Sequence, residues 1–246
     1  MSVAANWFEV WFNSPYYHKL YFERDEKLAD DFIKRLLERL NPAKEALLID
    51  LASSRGRHAR LIAGLGYDVT GIDLAPESIE AAKEFETDKL HFYQHDLRLP
   101  FWINYYDYAF SLFGSFGYFR TEHEHYNAIR TIAQSLKRTG IFVLDYLNVH
   151  YAEDNLVHKQ EVEVEGINFF ITKWFDETHF FKKIVIEDEG LGEPLEYIEK
   201  VSKFSLGDFT DMLSFHHLQI QEVYGDYEFN KYDVNKSPRL IMIAKK

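Results

Sequence analysis

The run Ala46-Leu47-Leu48-Ile49-Asp50-Leu51-Ala52 constrains this chain more than any other segment. Its apolar residues are consecutive, where a half-exposed strand would alternate, so it predicts a strand covered on both faces. It leads directly into Ser53-Ser54-Arg55-Gly56 and a helix over about 56–64. The unit then repeats. A strand over 67–72 ends at Asp73, and a helix over 76–85 opens with Pro76 and Glu77, residues suited to a helix start. Strands over 90–94 and 107–112, a helix over about 121–137 and a strand opened by Gly140 follow. Upstream, Leu28, Phe32, Leu36 and Leu40 recur every fourth residue over 25–40, one stripe of an amphipathic helix stopped by Asn41-Pro42. Strand–helix alternation at this pitch requires parallel strands joined by right-handed crossovers.

The pattern changes after Asn148. Val162 and Val164 alternate with Glu161, Glu163 and Glu165, the pattern of a half-exposed antiparallel strand. Gly166 and the cluster at 176–178 are turn signals, and about four antiparallel strands fit between 157 and 203. A helix near 205–213 and strands near 217–224 and 239–244 close the chain. The fold class is therefore α/β: a doubly wound, mostly parallel, Rossmann-like seven-stranded sheet with helices on both faces and an antiparallel β insertion. Three parts follow. Residues 1–40 form an N-terminal helical segment or lid. Residues 41–152 and 205–246 form the sheet domain. Residues 153–204 form the insertion, either a substrate cover or a homodimer surface.

The 246 residues carry 28 Lys and Arg against 40 Asp and Glu, a formal net charge of −12. Phosphate neutralisation needs a basic face, so nucleic acid is not an expected partner, and an anionic membrane surface is disfavoured. From Glu153 to Lys200 the chain has 5 basic and 13 acidic residues, so most of the excess lies in the insertion. With no cysteine there can be no disulfide, thiolate nucleophile or Cys-ligated metal. The N-terminus lacks the basic and apolar regions of a signal peptide, and no stretch is apolar enough to span a bilayer, so the expected setting is cytoplasmic.

Chemistry concentrates at the carboxyl ends of the first three strands, where open α/β sheets bind ligands. Asp50 stands at the base of the first turn, where it can orient the loop or reach a cationic ligand. Gly56 lets backbone approach a ligand closely. Asp73 can accept from paired ribose hydroxyls, and Asp96 from an adenine amino group. In sequence, Asp50-Leu51-Ala52-Ser53-Ser54-Arg55-Gly56-Arg57-His58, Gly71-Ile72-Asp73-Leu74, Asp96-Leu97 and Leu112-Phe113-Gly114-Ser115-Phe116-Gly117-Tyr118-Phe119 occur in this order. This set resembles the class I S-adenosylmethionine-dependent methyltransferases, in particular their bacterial small-molecule branch. Trp11-Phe12-Asn13-Ser14-Pro15-Tyr16-Tyr17 and Ser237-Pro238-Arg239-Leu240 extend the likeness over nearly the whole chain.

The resemblance implies S-adenosyl-L-methionine as cofactor and S-adenosyl-L-homocysteine as product. It implies that Asp50, Ala52, Ser54, Gly56, His58, Asp73, Leu74, Asp96, Leu97, Leu112 and Phe113 line the cofactor. Tyr17 would lie near the sulfonium, and Arg24 would pair the cofactor carboxylate. Ser54 departs from the pattern, which has glycine there; a positive φ at Ser54 would cost on the order of 1–2 kcal/mol. Ser115, Tyr118 and Asn148 are the expected contacts of a small-molecule acceptor, with Asp145, Tyr146 and His150 nearby. No catalytic base is named and no metal site is expected. His123 and His125 are expected to face solvent, and His216 and His217 to point apart on a strand. Two alternatives share the sheet. One is a non-catalytic S-adenosylmethionine-binding or scaffold protein. The other is a nicotinamide-dependent oxidoreductase, which would want G-x-G-x-x-G in the first turn.

Overall fold

The structure, a computed structural model, describes residues 7–22 and 26–246. Two short helices, α1 (Trp7–Phe12) and α2 (Pro15–Phe22), precede α3 (Glu26–Leu40). Strands and helices then alternate: β1 (Leu47–Leu51), α4 (Arg57–Gly64), β2 (Asp68–Asp73), α5 (Pro76–Lys83), β3 (Leu90–Gln94), β4 (Tyr106–Ser111), α6 (Glu122–Ser135) and β5 (Leu136–Leu147). These five strands pair in parallel in the order β3-β2-β1-β4-β5. The order reverses between β1 and β4, so their carboxyl ends open the crevice where such sheets take ligands.

After β5 come α7 (Val149–Asp154), β6 (Lys159–Val164), β7 (Ile167–Phe175), β8 (His179–Glu187) and β9 (Leu195–Ser202), then α8 (Leu206–Phe215), β10 (Gln219–Tyr224) and β11 (Arg239–Lys245). β11 pairs antiparallel with β5, and β10 with β11, completing seven strands. β6 to β9 form a separate antiparallel sheet of four. Among the described residues, no helix is long and apolar enough to cross a membrane.

The consecutive apolar residues of β1 do what two-sided burial demands. Leu48 packs with Phe32, Leu36, Ile62 and Ile79 from α3, α4 and α5. Ile49 and Leu51 point the other way, into a cluster with Ile129 and Ile132 of α6 and Phe209 and Leu213 of α8. A third cluster joins Trp7, Phe8, Trp11 and Leu20 of α1 and α2 to Phe169, Ile171, Ile184 and Ile186 of the small sheet. The first two helices are therefore mortared to the four-stranded sheet.

Several expectations need correction. β5 begins at Leu136, directly after α6, and not at Gly140. Leu136 is fully buried and pairs with Tyr106, while a register shift between Tyr106 and Tyr108 absorbs the extra residues before regular pairing resumes at Ile141. The six-residue α7 was too short to leave a periodic signal. His125 is buried: its ring packs at 5.5 Å from Phe116, 5.2 Å from Phe119 and 4.8 Å from Phe204. Its Nδ1 lies 2.9 Å from the carbonyl of Thr121, and burial lowers its pKa to about 4. His216 and His217 sit in the turn after α8, with His217 at φ 63°, and not on a strand.

Candidate active site

Three of five residues in the turn after β1 adopt left-handed backbone: Ala52 (φ 57°), Ser54 (φ 50°) and Gly56 (φ 74°). A Cβ at Gly56 would lie 2.3 Å from Cζ of Phe92 on β3, so glycine is required for space as well as conformation. Ser54 holds the strained conformation that its sequence position foreshadowed. Its amide donates to Oδ2 of Asp73 at 2.8 Å, which fixes the turn against β2. The amide of Ala75 donates to Oδ1 of Asp73 at 2.8 Å. Asp73 thus ties the first loop to the start of α5 and keeps lone pairs for further donors, since a carboxylate accepts about four hydrogen bonds. Burial raises its pKa, against the opposing pull of these amides. Replacing Ser54 by glycine is expected to raise unfolding stability by about 1 kcal/mol through relief of the positive φ. A urea titration showing a lower midpoint for S54G would contradict this.

Asp50 lies under this turn. It is buried on β1, its Oδ2 has no hydrogen-bond partner, and the hydroxyl of Ser53 beside it is likewise buried and unpartnered. Burial, with the nearby charge of Asp73, pushes the Asp50 carboxyl up to about 7, offset in part by the amide of Ala59. His58, on the first turn of α4, packs against Phe113 with ring centroids 4.6 Å apart and planes tilted by 37°, and burial lowers its pKa to about 4, so it is neutral at pH 7.

The loop after β4 forms the opposite wall. Phe113 is left-handed at φ 56°, and its amide donates to Oδ2 of Asp145 at 2.7 Å. Asp145, fully buried on β5, also accepts from the Tyr227 hydroxyl at 3.1 Å, while its Oδ1 accepts from Nε of Arg239 at 2.8 Å with Nη2 2.7 Å away. One carboxylate thus fastens the β4 loop to the C-terminal segment. Leu112 is buried beside it. Ser115 shares a 2.8 Å hydrogen bond with Ser111, and the Tyr118 hydroxyl donates to the carbonyl of Gly114.

Asp96 is engaged by Arg98 in a fork, Nε at 3.0 Å from Oδ1 and Nη2 at 2.7 Å from Oδ2, and this partner holds its carboxyl below the ordinary value despite partial burial. Arg98 continues to Glu124 on α6 at 2.8 Å. The carbonyl of Leu97 accepts from Thr131.

Asn148 is corrected as an acceptor contact. It is fully buried; its amide nitrogen donates to the carbonyls of Val234 and Ser237, both at 2.8 Å, and its carbonyl accepts from Tyr232 at 3.2 Å. It clamps the segment before β11. Arg24 lies outside the described residues.

Tyr17 and Leu74 meet in the cluster formed by α1, α2 and the small sheet. Tyr17 packs at 5.5 Å from Trp11 and 4.9 Å from both Phe12 and Tyr21, and burial holds its hydroxyl well above 10. Sequence reasoning missed the polar centre of this cluster. Glu199 on β9 accepts from Trp11 Nε1 at 2.7 Å and from the Tyr21 hydroxyl at 2.6 Å, and Lys182 Nζ stands 3.7 Å from its other oxygen. The signal was available: Leu195, Tyr197, Glu199 and Val201 share one face of β9, and an acid on an otherwise apolar face asks for an explanation.

Comparison with known proteins places this geometry. Residues 49–144 match a family model described as "Methyltransferase domain". No curated protein sequence matches the chain. Among solved structures, an S-adenosylmethionine-dependent methyltransferase from Clostridium acetobutylicum superposes with TM-score 0.78 at 16% identity, covering 94% of this chain and 95% of that one. The amino pentose methyltransferase CalS10 from Micromonospora echinaspora gives 0.70 at 16%, covering 94% and 97%. The sugar N-methyltransferase KedS8 from a Streptoalloteichus species gives 0.71 at 17%, covering 94% and 93%. At these identities the likeness is one of fold, and it takes in 94% of this chain in all three.

Proposed function

We propose that this chain, a class I S-adenosylmethionine-dependent methyltransferase by its family domain and fold, methylates a small molecule bound between the carboxyl ends of β4 and β5, the helices α1 and α2, and the four-stranded sheet. The observation that carries the reading is the pairing of a buried acid with one unpartnered oxygen, Asp50 Oδ2, with the Asp73-braced left-handed turn above it. A buried carboxyl of raised pKa with one oxygen left unpartnered is costly to keep and is repaid by a cationic ligand. The donor set fits S-adenosylmethionine, which supplies an electrophilic methyl group on a sulfonium when bound.

In this reading Asp73 takes the ribose hydroxyls with its remaining lone pairs. The backbone of Ala52, Ser54 and Gly56 admits close approach, and Asp50 faces the positive end. Asp96 and Leu97 border the adenine, with Asp96 shared with Arg98. Leu74, Leu112, Phe113 and His58 pack around the cofactor, and His58, kept neutral by burial, adds no charge beside the sulfonium. Tyr17 belongs to the lid, to which the helices α1 and α2 contribute. Residues 41–152 and 205–246 act as the cofactor domain and 153–204 as the cover, with Ser115 and Tyr118 on the acceptor side. A small-molecule acceptor is supported by the amino pentose and sugar N-methyltransferases of like fold. The outward face of the cover, where Trp174 stacks on Phe181 at 5.3 Å, is our candidate for self-association.

Calorimetry with S-adenosylhomocysteine tests the cofactor reading. The wild-type protein is expected to bind it and to ignore a nicotinamide dinucleotide. D73N keeps an acceptor for one backbone amide but loses the charge, and about 1.5–3 kcal/mol of binding should go with it, a loss of roughly 10- to 150-fold. A folded wild-type protein with no affinity for S-adenosylhomocysteine would overturn the proposal.

A further inference from the structure

The register of the small sheet separates its two faces. Val162 pairs with Phe169, Phe169 with Ile186, Ile171 with Ile184, Ile184 with Tyr197, and Lys182 with Glu199. Directly paired residues share a face. The face that packs on α1 and α2 therefore carries Glu199 as its one in-register acid among the described residues, while Glu161, Glu163, Glu187 and Glu196 point outward. Burying a carboxylate in this aromatic setting costs several kcal/mol before partners are counted. Hydrogen bonds from Trp11 and Tyr21, both on the N-terminal helices, offset part of that.

Glu199 is also close to the cofactor crevice. The Tyr17 hydroxyl feels the charges of both Asp73 and Glu199, and that of Tyr118 feels Glu199 and Arg239. Tyr17 thus stands between the ribose acid and Glu199, in one cluster with Tyr118 and with Leu74, the residue after Asp73. The surroundings already accommodate a cation: Lys182 Nζ lies 4.3 Å from the Tyr21 ring centroid and 3.7 Å from Glu199.

We infer that Glu199 is the acceptor-reading residue and that the acceptor carries a reactive amino group. This rests on the methyltransferase reading above. Two arguments select an amine over a hydroxyl. First, the groups around Glu199 make poor general bases. Tyr17, Tyr21 and Tyr118 are held above their ordinary pKa by burial, so they stay protonated, and the Glu199 carboxylate is already engaged by two donors and faced by Lys182. An acceptor that must lose a proton as it reacts has no strong partner there, whereas an amine that has first given its proton to solvent attacks with its free lone pair and needs no base in the transition state. Second, the nitrogen lone pair forms the new N–C bond as the S–C bond breaks and its electron pair returns to sulfur. Positive charge therefore moves from sulfur to nitrogen, and a fixed carboxylate beside the nitrogen stabilises it where it develops. The proton of the resulting ammonium leaves afterwards to solvent.

The test uses the whole chain loaded with S-adenosylhomocysteine, so that cofactor affinity is measured first. Glucosamine with glucose, and cyclohexylamine with cyclohexanol, serve as matched amine and hydroxyl probes. Binding is read by tryptophan fluorescence, since the Trp11 indole N–H is bonded to Glu199, and methyl transfer by mass. The expected result is binding and methylation of at least one amine, at least tenfold preferred over its alcohol. E199Q, which keeps an oxygen for Trp11 and Tyr21, should bind S-adenosylhomocysteine as before and lose that preference. Equal or better use of the alcohols, an unchanged preference in E199Q, or no response to any amine by a protein that binds S-adenosylhomocysteine overturns the inference and leaves the cofactor reading standing. Should E199Q fold poorly, the amine-to-alcohol ratio of the wild-type protein decides alone.

Discussion

Replacing Asp50 by asparagine is expected to stabilise the protein at pH 8 by up to about 4 kcal/mol, the free-energy equivalent of a carboxyl raised from its ordinary 3.8 to about 7. The sign follows from linkage. The folded state holds the Asp50 proton more tightly than the unfolded chain does. The stability this contributes is present below about pH 4 and is lost as pH rises towards 7. Asparagine presents the same oxygen to the Ala59 amide and never ionises, so its denaturation midpoint should change much less between pH 5 and pH 8. Ligand affinity should move the opposite way. A cationic cofactor favours the ionised carboxyl, so wild-type binding tightens as pH rises towards 7, by up to about tenfold per pH unit. D50N should bind more weakly and with a flatter profile. Urea melts and calorimetry at pH 5, 6, 7 and 8 measure both; equal wild-type and D50N stability at pH 8 would refute the buried-proton account.

The second large effect belongs to Asp145. Truncation to alanine leaves the buried guanidinium of Arg239 without its carboxylate and deprives the Phe113 amide and Tyr227 hydroxyl of an acceptor. Breaking a buried pair from one side typically costs about 3–5 kcal/mol. D145A should therefore unfold at much lower urea concentration. Because Asp145 holds Phe113 in its left-handed conformation, the His58–Phe113 ring contact should loosen and S-adenosylhomocysteine affinity should fall, even though Asp145 is spent on protein partners. If a double variant that also carries R239M recovers most of the stability, the stranded charge is the cause. If it does not, the lost loop anchor dominates.

These effects show what was legible in the chain and what was not. The parallel sheet could be read from β1 because two-sided burial leaves no alternation, and Leu48 and Ile49 do face opposite helix layers. The strained turn could be read from one residue, since Ser54 stands where backbone geometry favours glycine, and it takes φ 50°. Other features depend on partners distant in sequence. Nothing near Asn148 foretells that its amide will be consumed by carbonyls more than eighty residues later. His125 looked like a surface residue because a spacing of two puts it and His123 on different helix faces; the folded positions of Phe116, Phe119 and Phe204 make it part of a core. Glu199 required knowing which face of β9 turns inward, which the Lys182 pairing decides.

The insertion's attachment to the main sheet has one more consequence. It leaves β5 at Asn148, next to Tyr146, and it returns at Ser202, whose carbonyl accepts from the Tyr146 hydroxyl and whose amide donates to Gly117 at 2.8 Å. Departure and return therefore share one anchorage. A segment whose two ends share one anchorage can be lengthened, shortened or rewritten while the strand beneath it keeps its neighbours. Changes in the four-stranded sheet and in the helices packed on it can thus leave the seven-stranded sheet and the turn after β1 undisturbed.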